Sequence, residues 1–263
     1  MFILNSNSHQ TNKNQTRLAG YLLPALYQTE LTSGWNVGMR QVTHALLPAV
    51  LPAGPILELG CGGGGLLREL AERLPQQSIQ GIDRHPLALS SAQLHLAQVA
   101  PQVQVTQADL HGLPFADNSF GLLLALDTFD QTGVDLARGL AESWRVLQPQ
   151  GMLLLRVSAH AWLQGAHDVA FNTGRRYAIG ELQRVLYTAG FAPLRITYAN
   201  MLLAPPIVLL RLYQRLCATS LADELYSTAA ANRLLALALG CEARWLRRVN
   251  LPFGVSLYAI ARK

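Results

Sequence analysis

Six residues, Gly60-Cys61-Gly62-Gly63-Gly64-Gly65, separate the apolar run Pro55 to Leu59 from the helical pattern Leu66 to Arg73. Glycines between a strand and a helix let the backbone approach a ligand closely. They also present amide N–H groups at a helix N-terminus, a setting suited to a phosphate or a carboxylate. Acids stand on either side: Glu58 two residues before the loop, and Asp83 just after the next apolar run, Ser78 to Ile82. The pattern Gly60-x-Gly62-x-x-Gly65 with Asp83 downstream satisfies a dinucleotide fingerprint, in which the acid accepts from the ribose hydroxyls of NAD. Taken alone, the loop does not choose its cofactor.

A second set of chemistry-bearing side chains follows the apolar run Met152 to Val157: His160, Trp162, His167, Asp168, Arg175, Arg176 and Tyr177. The carboxyl end of a strand is where α/β sheets bind ligands. His167 is the first choice for a general base, with Asp168 beside it to orient it or to contact substrate. Trp162, Arg175, Arg176 and Tyr177 are the candidate substrate contacts, the arginines pairing with phosphate or carboxylate. The competing structural reading makes this a hydrogen-bonded surface loop whose arginines bridge to acids within the fold.

Short β-like runs alternating with helices must position these groups, which favours right-handed β-α-β units and a mainly parallel sheet. Strands are expected at 55–59, 78–82, 103–107, 120–126, 152–157, 195–198 and 255–261, with helices at 66–73, 86–99, 136–147 and 179–188. Phe120 to Leu126 is almost continuously apolar, as a central strand buried on both faces requires. The expected fold class is α/β, a Rossmann-like seven-stranded, mostly parallel sheet with helices on both faces and a helical insertion before the last strand. Its parts are a mobile N-terminal arm over 1–16, a helical cover over 17–54 that starts with Leu18, Leu22, Leu23 and Leu26, a core over 55–200, an insertion over 201–250 and a closing strand over 251–263.

The order of several motifs narrows the cofactor. Ile56-Leu57-Glu58-Leu59-Gly60-Cys61-Gly62-Gly63-Gly64, then Gly81-Ile82-Asp83, then Asp109-Leu110-His111-Gly112-Leu113-Pro114-Phe115, then Asp117-Asn118-Ser119-Phe120, then Trp144 to Gly151 resemble in sequence the motifs of class I S-adenosylmethionine-dependent methyltransferases, over roughly residues 55–200. The segment Val157 to Phe191 is similar to a type 11 subgroup. The resemblance implies S-adenosylmethionine as cofactor, held by Glu58, Gly60, Gly62, Gly64, Asp83, Asp109, Leu110 and Asp127, with no metal. In physical terms, the loop amides would meet a carboxylate, Glu58 an ammonium, Asp83 two ribose hydroxyls and Asp109 an adenine amine. Three positions depart from the pattern: Gly121 where aspartate is usual, Gln131 where many relatives have histidine, and Gln150 where glycine is more usual. The implied activity is methyl transfer to an O, N or C nucleophile of a small or lipid-like molecule. A non-catalytic S-adenosylmethionine-binding or scaffold protein and an NAD(P)-dependent oxidoreductase are the alternatives.

Composition sets the remaining bounds. Half of the 263 residues are hydrophobic and 14% are charged, which excludes a disordered or highly solvated chain. Residues 195–263 hold nine of the 21 Lys and Arg but three of the 16 acids, so the net charge of +5 comes from the last quarter. Basic sequence beside the apolar run Ile196 to Leu210 suggests anionic surfaces or substrates, and peripheral membrane contact through 201–250 or a homodimer stays open. The basic tail contains no recognisable nucleic-acid module, so nucleic acid is not an expected partner. Three widely spaced cysteines, Cys61, Cys217 and Cys241, and a polar start after Met1 to Leu4 fit the cytoplasm or its membrane face.

Overall fold

The apolar runs fold as seven strands in the computed structural model, which describes Tyr27, residues 29–217 and residues 229–263. The strands are β1 (Ile56–Leu59), β2 (Ile79–Asp83), β3 (Gln104–Gln107), β4 (Phe120–Leu126), β5 (Leu147–Ser158), β6 (Ala192–Ala199) and β7 (Ser256–Arg262). The helices are α1 (Gly34–Leu46), α2 (Gly65–Arg73), α3 (Pro86–Leu96), α4 (Leu136–Val146), α5 (Ala166–Ala170), α6 (Ile179–Thr188), α7 (Ala204–Cys217) and α8 (Ala229–Leu246). The expected arm over 1–16, the cover helix around Leu18 to Leu26 and residues 218–228 lie outside the described residues.

The strands form one sheet in the order β3-β2-β1-β4-β5-β7-β6. All pairings from β3 to β5 are parallel, whereas β7 runs antiparallel to both β5 and β6. This is the expected Rossmann-like sheet. β1 and β4 are its centre, and the continuous apolar sequence of β4 is explained by burial on both faces. The loops after β1, β2, β4 and β5 therefore emerge at one edge, where the chemistry-bearing residues gather.

Each face of the sheet carries its own core. On one face α1, α2, α3 and α8 contribute Met39, Val42, Leu67, Leu70, Ala92, Leu96, Leu239 and Leu246. On the other, α4 and α6 contribute Leu136, Leu140, Leu182 and Leu186. The insertion is thus only partly an appendage: α8 lies on α1 and completes the first core. A Cβ on Gly38 would sit 2.5 Å from the Leu239 side chain, so the helix contact itself demands glycine there. The described part of the cover and the insertion form one layer, although they are about two hundred residues apart.

The departure at Gly121 has a steric cause. A Cβ on this residue would lie 2.0 Å from the carbonyl oxygen of Ala53. The segment leading into β1 passes too close for a side chain on this backbone, the expected aspartate included.

Candidate functional site

The glycine loop spends its donors within the protein. Gly60 N and Cys61 N donate to the Ile82 carbonyl at 2.8 and 2.9 Å, and Gly64 N donates to the Cys61 carbonyl at 2.9 Å. Gly62 N donates to Asp83 Oδ2 at 3.0 Å. The remaining two meet a residue that the motifs do not include: Gly63 N donates to Glu30 Oε2 at 2.6 Å and Gly65 N to Glu30 Oε1 at 2.9 Å. At the place where the loop amides are expected to meet a ligand carboxylate, the internal carboxylate of Glu30 accepts two of them. Glu30 reaches the loop from the segment before α1. Arg40 Nη1 donates to its carbonyl, and Arg40 Nε donates to Glu69 of α2 at 2.6 Å.

Three acids surround the loop. Glu58 is 4% exposed, and its Oε2 is buried without a hydrogen-bond partner. Burial pushes its carboxyl well above the ordinary range, reinforced by Glu30 and Asp83. Burial also raises Glu30, against the pull of the Gly65 and Gly63 amides and of Arg40. Tyr27 lies over the same turn with its ring 6.4 Å from that of His85, and burial followed by Asp83 and Glu30 raises its phenol. Acids dominate around the turn, with Arg40 a nearby arginine that counters them.

Asp83 keeps capacity for a ligand. Its Oδ1 accepts from His85 N at 2.8 Å and its Oδ2 from Gly62 N, which leaves two of about four lone-pair positions. Asp109 is two-thirds exposed; its Oδ1 accepts from the His111 backbone N–H and lies 2.7 Å from His111 Nδ1. Leu110 packs against the second core near Gly139.

At the end of β4 the chain takes a left-handed step, with Asp127 at φ 52°. Both carboxylate oxygens of Asp127 are gripped by Arg156 of β5, with the Nε–Oδ1 bond at 2.8 Å. Arg156 Nη1 reaches Tyr258 Oη at 3.2 Å, which is in turn 2.9 Å from Thr43 of α1. Asp127, expected as a cofactor contact, is thus held by an arginine inside the sheet. Asp130 accepts Ser158 N at 2.8 Å through Oδ2, while its buried Oδ1 has no partner. Burial and then Asp127 push its carboxyl up to about 6.

The loop after β5 divides the expected substrate residues. His167 stacks on Phe171 at 4.2 Å, its buried Nδ1 has no partner, and burial followed by Arg211 pushes it down to about 4. It is neutral at pH 7. Asp168 does not orient it: Oδ2 accepts from Gly165 N and Oδ1 from Arg176 Nε at 2.8 Å, both side chains being buried. Arg176 also donates to the Ala159 carbonyl, so the pair Asp168–Arg176 pins the loop to β5. Tyr177 is buried and donates to the Phe129 carbonyl at 3.2 Å. Arg175 is exposed, pairs with Glu181 and lies 5.0 Å above the Tyr177 ring. Arg175 and Tyr177 line a cavity of about 360 Å³ with Phe129, Gln131, Leu136 and Val185, on the α4 and α6 side of the sheet. None of the glycine-loop residues line it.

Trp162, half exposed, belongs to a different cluster. His160, at φ 60°, stacks between Tyr198 and Phe253 with ring centroids 5.2 and 5.0 Å away, and Trp162 is 5.6 Å from it. Its Nε2 is buried without a partner, and burial pushes the ring below its usual range while a hydrogen bond to Gly254 opposes this. Of the residues that motif reading missed, Arg156 carried a signal, a charge inside an apolar strand. Glu30 carried none, because it acts across 33 residues of sequence.

Residues 56–151 match the family described as a methyltransferase domain. A demethylmenaquinone methyltransferase from Deinococcus radiodurans is 34% identical over 125 residues, covering 48% of this chain and 51% of that relative. The chain spans about half the length of the curated relatives it matches. Among solved structures, a geranyl diphosphate C-methyltransferase from Streptomyces coelicolor, bound to geranyl diphosphate and S-adenosyl-L-homocysteine, gives a TM-score of 0.55 at 15% identity, covering 86% of this chain and 76% of that one. The cyclase SpnF gives 0.57 at 20% identity, covering 86% and 80%. At such identities these likenesses show the fold alone. The matched methyltransferase domain over residues 56–151, the strand order and the glycine loop joined to Asp83 are similar to those of class I S-adenosylmethionine-dependent methyltransferases, and the sheet is the Rossmann-like sheet of those solved structures.

Proposed function

We propose that this protein transfers the methyl group of S-adenosylmethionine to an O, N or C nucleophile of a small or lipid-like acceptor. The observation that carries the reading is the buried, unpartnered Glu58 Oε2 beneath the glycine loop, with Glu30 and Asp83 close enough to raise its carboxyl. A buried carboxylate without a partner is costly, and a ligand bearing an ammonium and a sulfonium relieves that cost. The name of a relative acting on demethylmenaquinone supports a lipid-like acceptor.

S-adenosylmethionine supplies a methyl group on a positively charged sulfur, already joined to a good leaving group. Glu58 attracts the ammonium end. Asp83 accepts from the ribose hydroxyls with its spare lone pairs, and Asp109 Oδ2 accepts from the adenine amine. The loop glycines supply closeness of approach rather than free N–H groups. Alignment of nucleophile with methyl is the main demand, so holding the acceptor is most of the catalysis. Arg175 and Tyr177 border the acceptor's cavity, and neutral His167, which stands outside that lining, is the base where the acceptor must lose a proton.

Titration calorimetry with S-adenosylmethionine tests the cofactor: binding is expected, and Asp83→Ala weakens it strongly. Incubation with methyl-labelled S-adenosylmethionine and fractionated cell extract, lipids included, tests the transfer. Label on an extract fraction is expected, whereas binding without transfer would leave a binding protein.

A further inference from the structure

The outward face of α8 is apolar and rimmed by arginine. Leu234, Leu237, Cys241 and Trp245 recur at spacings of three, four and four, which puts them on one stripe of the helix. Leu234 and Leu237 are 67% and 66% exposed and Trp245 is 46% exposed. The opposite face, with Leu239, Ala243 and Leu246, is buried in the core shared with α1. Exposure of the stripe is therefore not a consequence of poor docking.

Among the described residues, the exposed charge of α8 and the turn after it has one sign. Arg233, Arg244, Arg247 and Arg248 are exposed, and none of them is drawn into an ion pair among the described residues. The one acid of α8, Glu242, is buried and accepts Leu202 N at 3.1 Å and Asn200 N, tying the turn before α7 to α8. α7 repeats the pattern: Ile207 and Val208 pack against Leu163 and Val255, while Leu209 is 66% exposed and Leu212 and Tyr213 also face outward. No helix among the described residues is long and apolar enough to cross a membrane.

We propose that α8, with the outward residues of α7, rests on an anionic lipid bilayer. The leucines and Trp245 enter the boundary between headgroups and acyl chains, and the arginines pair with lipid phosphates, as basic amphipathic helices do. A second copy of the chain fits this face poorly. A two-fold contact sets the same patch against itself, bringing eight arginines together without an exposed acid on either α8. The inference does not depend on methyl transfer.

Sedimentation of the full chain with unilamellar vesicles tests it, using phosphatidylcholine alone and phosphatidylcholine with roughly one-third phosphatidylglycerol. Binding to the anionic vesicles at least about ten-fold tighter than to the neutral ones, and weakened by salt, is expected. Leu234→Glu/Leu237→Glu abolishes the binding. Arg244→Gln/Arg248→Gln weakens it and flattens its salt dependence, with the melting temperature unchanged in both variants. Equal or absent sedimentation with both vesicles overturns the proposal. So does a concentration-dependent dimer, seen by sedimentation velocity, that the leucine variant dissolves.

Discussion

The carboxylate of Glu30 lies across the glycine loop, accepting Gly63 N–H at 2.6 Å through one oxygen and Gly65 N–H at 2.9 Å through the other. It caps the start of α2 from a segment outside the matched domain, so the cover and the loop are one unit. Glu30→Ala strands two backbone donors and removes one acid from the cluster of Glu30, Glu58 and Asp83 at the loop. Stability is expected to fall by about 1–2 kcal/mol, the cost of a lost cap and charged hydrogen bonds. S-adenosylmethionine affinity falls several-fold in calorimetry. Glu30→Gln keeps one acceptor oxygen and recovers part of the stability but not the affinity. Wild-type affinity in both variants would remove Glu30 from the site.

Glu58→Gln should separate stability from binding. Burial raises the folded pKa of Glu58 above its unfolded value. Its contribution to stability is therefore present at acid pH and is lost as pH rises through the folded pKa. The neutral isostere does not suffer this loss, so Glu58→Gln should melt higher than wild type at pH 8, with the gap closing toward acid pH. At the same time it should bind S-adenosylmethionine at least about ten-fold more weakly, a difference of 1.4 kcal/mol. Thermal melts across pH and calorimetry at one pH check both halves. A variant that melts lower at pH 8 and binds normally would show Glu58 to be purely structural.

The seven strands and the motif residues on β1 and β2 were legible because they are local: apolar runs, loop glycines and an acid at a strand end follow one another in sequence. The partners of those residues were not. Asp127 reads as a cofactor contact, and its pairing with Arg156, 29 residues later, is not visible in the sequence. Asp168 reads as the orienter of its neighbour His167, yet the turn into α5 directs it to Gly165 and Arg176. Adjacent residues in a helical turn point apart, and sequence order alone does not show which neighbour wins. The departure at Gly121 became intelligible only with the backbone of Ala53 in place.

His167 should leave a mark on acid stability. Burial pushes its folded pKa down to about 4, from 6.5 in the unfolded chain. Its contribution is fully present above 6.5 and lost as pH falls toward 4, because the unfolded state takes up the proton first. Wild type should lose stability on the order of 2 kcal/mol from this group by about pH 4.5. His167→Gln should lose less over the same range, measured by denaturant unfolding at both pH values. Equal losses would mean that His167 is solvated, and a solvated imidazole would not be held neutral at the site.

Arg175 and Arg176 are neighbours with opposite expected behaviour. Arg176→Ala leaves Asp168 buried and unpaired, a change that costs about 3–5 kcal/mol. The Arg175 pair with Glu181 is exposed, and its loss costs at most about 1 kcal/mol. Arg175→Ala should therefore fold normally yet reduce label transfer to the acceptor fraction, because Arg175 lines the cavity. Thermal melting combined with the labelled-extract assay separates the two. Full transfer by Arg175→Ala would place the acceptor elsewhere, with the His160 cluster the next place to look.

Gln150 stands at φ 65°, a left-handed conformation that costs an ordinary residue roughly 1–2 kcal/mol and glycine almost nothing. It lies at the turn into the inner part of β5, beside Gly151, away from the glycine loop. Glycine is the expected residue at this position, and the backbone angle is one that suits it. Gln150→Gly removes the strain but gives the unfolded chain more freedom, which returns up to about 1 kcal/mol of the gain. The net expectation is a stabilisation of about 0.5–1 kcal/mol, or roughly 1–4 °C in Tm for a domain of this size. S-adenosylmethionine affinity should not change. Differential scanning calorimetry with and without the cofactor measures both quantities, and a lower Tm for Gln150→Gly would mean that the glutamine side chain contributes more than its backbone costs.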